Sequence, residues 1–124
     1  MDKKILIIDD SATVRQQVRA ALTGVGFEVV EAADGLDGLK QITDRNDLAG
    51  VVCDVNMPHL NGLEMLERVK ASGKLASLPV LMLTTEGQPA MVQKAKAVGA
   101  KGWLVKPFKS DVLAATMRKL TATG

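Results

Sequence analysis

The sequence predicts an α/β fold in which five parallel strands form a doubly wound sheet with helices on both faces. Two observations support this prediction. Five short apolar runs alternate with five segments in which apolar residues recur every three or four positions, the spacing of an amphipathic helix. Three of the runs are apolar throughout, which is typical of strands covered on both sides. The chain has 124 residues, so residues 1–124 are expected to form a single domain.

The apolar runs predict where the five strands lie. The first run contains Ile-Leu-Ile-Ile, the third Val-Val-Cys and the fourth Val-Leu-Met-Leu, so these strands are expected to be buried on both faces. The second run includes Glu28 and Glu31 and is expected at an edge of the sheet. The fifth run is short. The predicted strands cover residues 4–9, 27–32, 50–55, 79–84 and 103–105.

Helical periodicity between the strands predicts five helices. Ser11 is a suitable N-cap for the first helix, Gly24 is expected to end it, and Gly99 is expected to end the fourth. Each helix has an apolar stripe that can pack on the sheet. The predicted stripes are Val14, Val18, Ala21 and Val25; Leu36, Leu39 and Ile42; Leu63, Leu66 and Val69; Met91, Ala95 and Val98; and Val112, Leu113, Thr116, Met117 and Leu120.

The composition excludes several classes of function. One Trp, two Phe and no Tyr are too few aromatic residues for a base-stacking surface, so no direct nucleic-acid partner is expected. A single cysteine, Cys53, excludes an internal disulfide and a multi-cysteine zinc site, and suits a reducing compartment. No apolar run approaches the roughly 20 residues that span a bilayer, and the first run is too short for a signal peptide. The sequence therefore predicts a cytoplasmic protein without membrane insertion.

Charge is distributed unevenly along the chain. Residues 1–86 carry nine basic and thirteen acidic side chains, whereas residues 87–124 carry seven basic side chains and one acidic side chain. The whole chain has a formal net charge of only +2. The basic segment is either a solvated helix surface or a docking face for an acidic partner.

Carboxylates follow two of the predicted strands. Asp9 and Asp10 come at the end of the first strand, and Asp54 comes at the end of the third. In open α/β sheets, sites form beyond the carboxyl ends of the strands where the strand order reverses. If the first and third strands are neighbours, the three carboxylates converge and repel one another unless a cation intervenes. A site built only from oxygen ligands suits Mg²⁺.

Two further strand ends supply the groups that a phosphoryl site needs. Thr84 ends the fourth strand and offers a hydroxyl, and Lys106 follows the fifth strand and offers an ammonium. Positive charge and hydrogen-bond donors stabilise the oxygens of a phosphoryl group during its transfer. A carboxylate can itself be the nucleophile, and Asp54 is the better candidate because Asp9 and Asp10 have the placement of metal ligands.

Four motifs together resemble the response-regulator receiver domain. They are Ile8-Asp9-Asp10-Ser11, Asp54-Val-Asn56-Met57-Pro58 with Gly62, Leu83-Thr84-Thr85-Glu86 and Val105-Lys106-Pro107-Phe108. The resemblance spans essentially the whole chain and is strongest to the single-domain chemotaxis type of this family. It implies a flavodoxin-like fold with the strand order 2-1-3-4-5 and a cis peptide bond between Lys106 and Pro107.

The resemblance also implies roles for the acidic residues. Asp54 is the expected phosphoacceptor. Asp10 is expected to bind Mg²⁺ together with Asp9 and Asp54, and the backbone carbonyl of Asn56 is expected to be a further ligand. Mg²⁺ is therefore the expected cofactor.

The remaining roles implied by the resemblance concern signalling. Thr84 and Lys106 are expected to contact the phosphoryl group. Thr84 and Trp103 form the expected switch, although the family usually has Tyr or Phe where this chain has Trp103. Asn56 and Glu86 are expected to tune the lifetime of the phosphorylated state.

The resemblance implies a signalling switch and not an enzyme that turns over an external substrate. A histidine kinase is the expected phosphodonor, and an output partner is expected on the face formed by the fourth helix, the fifth strand and the fifth helix. A phosphorelay intermediate, or a receiver domain cut from a larger regulator, is an alternative.

Two alternatives come from other classes of protein. A haloacid-dehalogenase-type phosphatase needs an Asp two positions after its nucleophile, but Asn56 stands there after Asp54 and Ser11 after Asp9. The chain is also too short to add a cap domain. A flavin-binding module is disfavoured by the few aromatic residues.

Overall fold

A computed structural model of the chain describes residues 3–55, 57, 60–74, 77–85 and 89–122. Five parallel strands form one sheet in the order β2-β1-β3-β4-β5. The strands are β1 (Lys4–Ile8), β2 (Glu28–Ala32), β3 (Leu48–Asp54), β4 (Val80–Thr85) and β5 (Gly102–Lys106). The helices are α1 (Ala12–Thr23), α2 (Gly35–Asp44), α3 (Gly62–Ala71), α4 (Pro89–Val98) and α5 (Ser110–Leu120). The predicted fold and strand order are confirmed.

The two faces of the sheet carry separate apolar cores. Along β1, Ile5 and Ile7 pack with residues of α1 and α5, whereas Leu6 and Ile8 pack with residues of α2, α3 and α4. This alternation follows from the two-residue period of a strand. All four residues are fully buried, as predicted for a strand covered on both faces.

The strands at the two edges differ in character. The prediction that the second strand lies at an edge is confirmed, and Glu31 of β2 pairs there with Arg15 and Arg19 of α1. On β5, at the opposite edge, Trp103 and Val105 are exposed. An edge strand thus places an aromatic and an aliphatic side chain on the surface.

Local signals set the ends of several helices as predicted. Ser11 caps α1 by accepting a hydrogen bond from the Val14 N–H, and Gly24 follows the helix as its C-cap. Gly99 follows α4 with a φ of 134°, a conformation that favours glycine. The peptide bond between Lys106 and Pro107 is cis, as the resemblance implied.

Three residues of the predicted apolar stripes are exposed, so the prediction is wrong for them. Val25 lies beyond the end of α1, where the chain has already turned. Leu36 points outward because Gly35, Gly38 and Ile42 form the buried face of α2. Val112 lies beside the buried face of α5, which contains Leu113, Ala114 and Met117.

Close packing at Gly62 brings the start of α3 against the end of β3. The Gly62 N–H donates to the Val55 carbonyl at 2.9 Å. A Cβ atom at this position would lie 2.3 Å from the backbone oxygen of Asp54. Asn61 and Glu64 form a capping box that fixes where α3 begins. The absence of a side chain at Gly62 therefore allows α3 to approach the backbone of the predicted phosphoacceptor.

The longest helix described is α1, with 12 residues. Within the described ranges, no helix combines the length and the apolar character that a bilayer crossing requires.

We expect Gly62→Ala to lower the free energy of unfolding by about 1–3 kcal/mol, because its Cβ would meet backbone atoms at the end of β3. Gly102→Ala, on β5, is the control. The three atoms nearest to a Cβ at Gly102 are all side-chain ends, the closest being Cδ1 of Leu81 at 3.2 Å. Urea unfolding of both variants measures the difference. A Gly62→Ala protein that is at least as stable as Gly102→Ala would contradict this account of the β3–α3 approach.

Candidate functional site

Sheet register brings the predicted acidic residues together. Ile8 of β1 pairs with Cys53 of β3. The next residues along the chain, Asp9 and Asp54, therefore lie side by side at the carboxyl ends of these two strands. Carboxylate oxygens of Asp9, Asp10 and Asp54 all lie within 4.8 Å of one another. Asp9 and Asp54 are buried, whereas Asp10 is exposed. The predicted convergence of the three carboxylates is present in the structure.

Lys106 crosses from β5 to this acidic cluster. Its Nζ lies 3.0 Å from Oδ2 of Asp9 and 3.2 Å from Oδ1 of Asp54. Burial, the largest influence, lowers the pKa of Lys106, but the hydrogen bond to Asp9 and the charges of Asp54 and Asp9 together outweigh it. The pKa of Lys106 is therefore raised, and the side chain remains an ammonium at neutral pH.

The charges at this site do not balance. Three carboxylates meet the ammonium of Lys106, which forms salt bridges with Asp9 and Asp54. When all are ionised, the cluster has an excess of negative charge that a divalent cation can neutralise.

The donor set fits Mg²⁺. The three candidate ligands offer only carboxylate oxygens, which Mg²⁺ prefers over nitrogen and sulfur. The exposure of Asp10 leaves one side of the cluster open to solvent, as suits an ion that keeps several of its waters. Asn56, whose carbonyl is the fourth predicted ligand, lies outside the described residues.

The backbone N–H, the backbone carbonyl and the carboxylate of Asp9 each have a hydrogen-bond partner of their own. Its N–H donates to the Ala32 carbonyl at 3.2 Å, and its Oδ1 accepts from the Ser11 N–H at 2.8 Å. Its backbone carbonyl accepts from Nη1 of Arg15 at 2.6 Å. Arg15 was not among the predicted site residues, because nothing in one sequence distinguishes it from the other basic residues of a helix surface.

Thr84 and Trp103 lie on the neighbouring strands β4 and β5. Thr84 is buried, and its hydroxyl donates a long hydrogen bond of 3.5 Å to the Leu104 carbonyl of β5. Trp103 precedes Leu104 and is 37% exposed. Nζ of Lys96, on α4, lies 5.6 Å from the centre of the indole ring, within the range of a cation–π interaction. The hydroxyl of Thr84 is thus bonded to the residue next to Trp103.

Cys53 precedes Asp54 but has no reactive character. It is fully buried in the core on the α2, α3 and α4 side. Burial, followed by the charges of Asp54 and Asp9, strongly raises the pKa of its thiol. The prediction that Cys53 packs as a small apolar residue is confirmed.

Asn56 and Glu86, the predicted lifetime residues, lie outside the described residues, and their roles stay predictions.

Comparisons with known proteins agree with this arrangement. A family model described as response regulator receiver domain matches residues 5–118. The chain is 37% identical over 122 residues to the "Chemotaxis protein CheY homolog" of Campylobacter jejuni, covering 98% of this chain and 94% of that protein. It is 34% identical over 122 residues to Chemotaxis protein CheY1 of Helicobacter pylori, covering 98% of each.

A solved structure shows the same likeness in three dimensions. Chemotaxis response regulator CheY4 of Vibrio cholerae superposes with a TM-score of 0.88 at 40% identity. The match covers 97% of this chain and 99% of that one. The similarity therefore extends over nearly the whole chain.

We expect millimolar Mg²⁺ to raise the melting temperature of the protein through preferential binding to the folded state. Asp10→Asn should raise the melting temperature of the metal-free protein, because it removes one of the repelling charges, and should abolish the Mg²⁺ effect. Glu67→Gln removes an exposed carboxylate from α3 and serves as the control. Thermal unfolding with and without Mg²⁺ measures both effects. An unchanged Mg²⁺ shift in Asp10→Asn would rule out Asp10 as a ligand.

Proposed function

Because the chain belongs to the response regulator receiver domain family, we propose that residues 1–124 form one receiver domain whose Asp54 accepts a phosphoryl group. The protein is a phosphorylation-activated response regulator of two-component signalling. Its likeness to the chemotaxis proteins of C. jejuni, H. pylori and V. cholerae supports a role in chemotaxis. One observation supports the site above all others. Asp54 lies in a cluster of three carboxylates, and Lys106 reaches this cluster from the edge strand β5.

A carboxylate oxygen of Asp54 is the proposed nucleophile. It attacks phosphorus, the new O–P bond forms an acyl phosphate, and the P–N bond to the histidine of a kinase breaks. The ammonium of Lys106 already lies 3.2 Å from Asp54 and is placed to neutralise the negative charge of the transferred group.

Mg²⁺ is the proposed cofactor. Asp9, Asp10 and Asp54 would hold it, with the backbone carbonyl of Asn56 as a further ligand. Bound there, it would supply positive charge that stabilises the oxygens of the phosphoryl group. Asp9 and Lys106 contribute in a second way, because the salt bridge between them orients the ammonium toward the acceptor.

The proposed switch passes from Asp54 to the surface of β5. The acyl phosphate would carry about 1.5–2 negative charges where the Asp54 carboxylate carries one, and its oxygens would attract Lys106 and the hydroxyl of Thr84. If Thr84 turns toward the phosphoryl group, it gives up its hydrogen bond to the Leu104 carbonyl. The neighbouring Trp103 can then leave its exposed position and occupy the space that Thr84 vacates.

The proposed readout surface consists of α4, β5 and α5. Four exposed lysines give it a positive field: Lys94, Lys96, Lys101 and Lys109. This field supports an acidic output partner, and the exposed Trp103 and Val105 supply apolar contact area.

We propose neither direct nucleic-acid binding nor membrane insertion. The sole cysteine is buried and free, which supports a cytoplasmic location alongside a histidine kinase.

The protein is a signalling receiver and not a metabolic enzyme. We propose that it catalyses only its own phosphorylation and dephosphorylation, with Asn56 and Glu86 setting the rate at which water attacks the acyl phosphate. A phosphorelay role, or service as the receiver part of a larger regulator, would use the same chemistry.

Acetyl phosphate with Mg²⁺ tests the proposed acceptor, because it can donate a phosphoryl group and release acetate. We expect intact-protein mass spectrometry to find one added phosphoryl group that is lost under mildly basic conditions, as an acyl phosphate should be. Asp54→Asn should remove the added mass, whereas Asp47→Asn, at an exposed carboxylate outside the site, should retain it. A phosphoryl group that persists in Asp54→Asn, or that resists base as a serine ester does, would contradict the assignment.

The fluorescence of Trp103, the only tryptophan, tests the switch. Beryllofluoride with Mg²⁺ mimics a phosphoryl group on a carboxylate. We expect it to shift the emission to shorter wavelength, because the indole moves from its 37% exposed position into a drier one. Asp54→Asn should show no shift. Identical spectra of the unmutated protein with and without beryllofluoride, with Mg²⁺ in both, would show that the indole stays outside.

A further inference from the structure

Arg15 joins the acidic cluster to the β2 edge of the sheet. Its Nη1 donates to the backbone carbonyl of Asp9 at 2.6 Å, and its Nε donates to Oε1 of Glu31 at 2.9 Å. The side chain of Arg15 is only 19% exposed, so these contacts are largely withdrawn from water. A planar guanidinium held by one partner just after β1 and another in β2 can fix the orientation of both.

The contact with Asp9 also constrains Asp10. The carbonyl of Asp9 and the amide nitrogen of Asp10 belong to one planar peptide unit. A donor that fixes the carbonyl therefore fixes the orientation in which the backbone enters Asp10. This matters because Asp10 is exposed, so packing does little to direct its carboxylate toward Asp9 and Asp54.

We propose that Arg15 is a positioning residue for the metal site, where it orients the Asp9–Asp10 peptide while Glu31 holds its guanidinium in place. The proposal rests on the magnesium site of the proposed function. Arg15 acts through the backbone of the ligands, and its contact with Asp9 is made to the carbonyl and not to the carboxylate.

Whether the removal of Arg15 weakens or strengthens Mg²⁺ binding distinguishes a positioning role from a purely electrostatic one. Arg15 is a cation close to an acidic cluster, so on Coulomb's law alone its removal should strengthen the binding of Mg²⁺. If Arg15 instead keeps the ligands in place, its removal should weaken binding despite the lost repulsion. Residues behind metal ligands typically change metal affinity by 10–100-fold when they are mutated.

Arg19 provides a matched control on the same helix. Its Nε donates to Oε2 of Glu31 at 2.6 Å, and its Nη2 contacts the Val29 carbonyl. Arg19 therefore shares the ion pair with Glu31 and has the same charge as Arg15, but its hydrogen bonds lead to β2 and not to Asp9.

Titration of the metal-free protein with MgCl₂ in a calorimeter tests the proposal. We expect Arg15→Met to bind Mg²⁺ about tenfold more weakly than the unmutated protein and Arg19→Met to bind it equally well. In two-dimensional ¹H–¹⁵N NMR spectra of the metal-free proteins, the Asp10 amide should shift in Arg15→Met and stay in place in Arg19→Met. Circular dichroism establishes that each variant is folded.

Glu31→Gln adds a variant that retains Arg15. It should weaken Mg²⁺ binding by a smaller factor, and it should have no further effect in an Arg15→Met background, because the two residues act in series. Unchanged or tighter binding by folded Arg15→Met would overturn the proposal while leaving the magnesium site intact. If the unmutated protein binds no Mg²⁺, the magnesium site itself is wrong, and this proposal is wrong with it.

Discussion

The pairing of Lys106 with Asp9 and Asp54 is the interaction on which the site depends. It joins the carboxyl ends of β1, β3 and β5, although β5 is separated from β3 by β4. Three carboxylates within 4.8 Å would repel one another strongly without a cation among them. The ammonium lowers this repulsion only in part. The remaining negative charge gives the site an affinity for a divalent cation, and the ammonium lies where a phosphoryl group on Asp54 would need it.

Asp9 links the site to both edge strands of the sheet, β5 and β2. Toward β5, its carboxylate contacts Lys106, and toward β2, its carbonyl contacts Arg15, which Glu31 holds. The Ser11 N–H binds its second carboxylate oxygen. Because each polar group of this buried residue has its own partner, the position of Asp9 follows from the whole sheet and not from the β1–α1 loop alone.

The sequence was sufficient to predict the fold, the edge position of β2 and the convergence of the three aspartates, because apolar periodicity and the ends of parallel strands follow general rules. It was insufficient at Leu36, which is exposed while Gly35, Gly38 and Ile42 form the buried face of α2. The contacts of Arg15 with Asp9 and of Lys96 with Trp103 were not predicted, because they depend on how α1 and α4 lie against the sheet. Helical spacing describes the face of a single helix and carries no information about such distant partners.

A double-mutant cycle between Lys106 and Asp54 in metal-free protein tests most directly whether the ammonium stabilises the carboxylate cluster. Lys106→Met should lower the free energy of unfolding in the unmutated protein, since it leaves three carboxylates without their ammonium. In an Asp54→Asn background the same substitution should cost less, with a coupling energy of about 0.5–3 kcal/mol at neutral pH and low salt. If the changes that the two substitutions cause in the free energy of unfolding were strictly additive, Lys106 and Asp54 would not interact, and the account of this site would be contradicted.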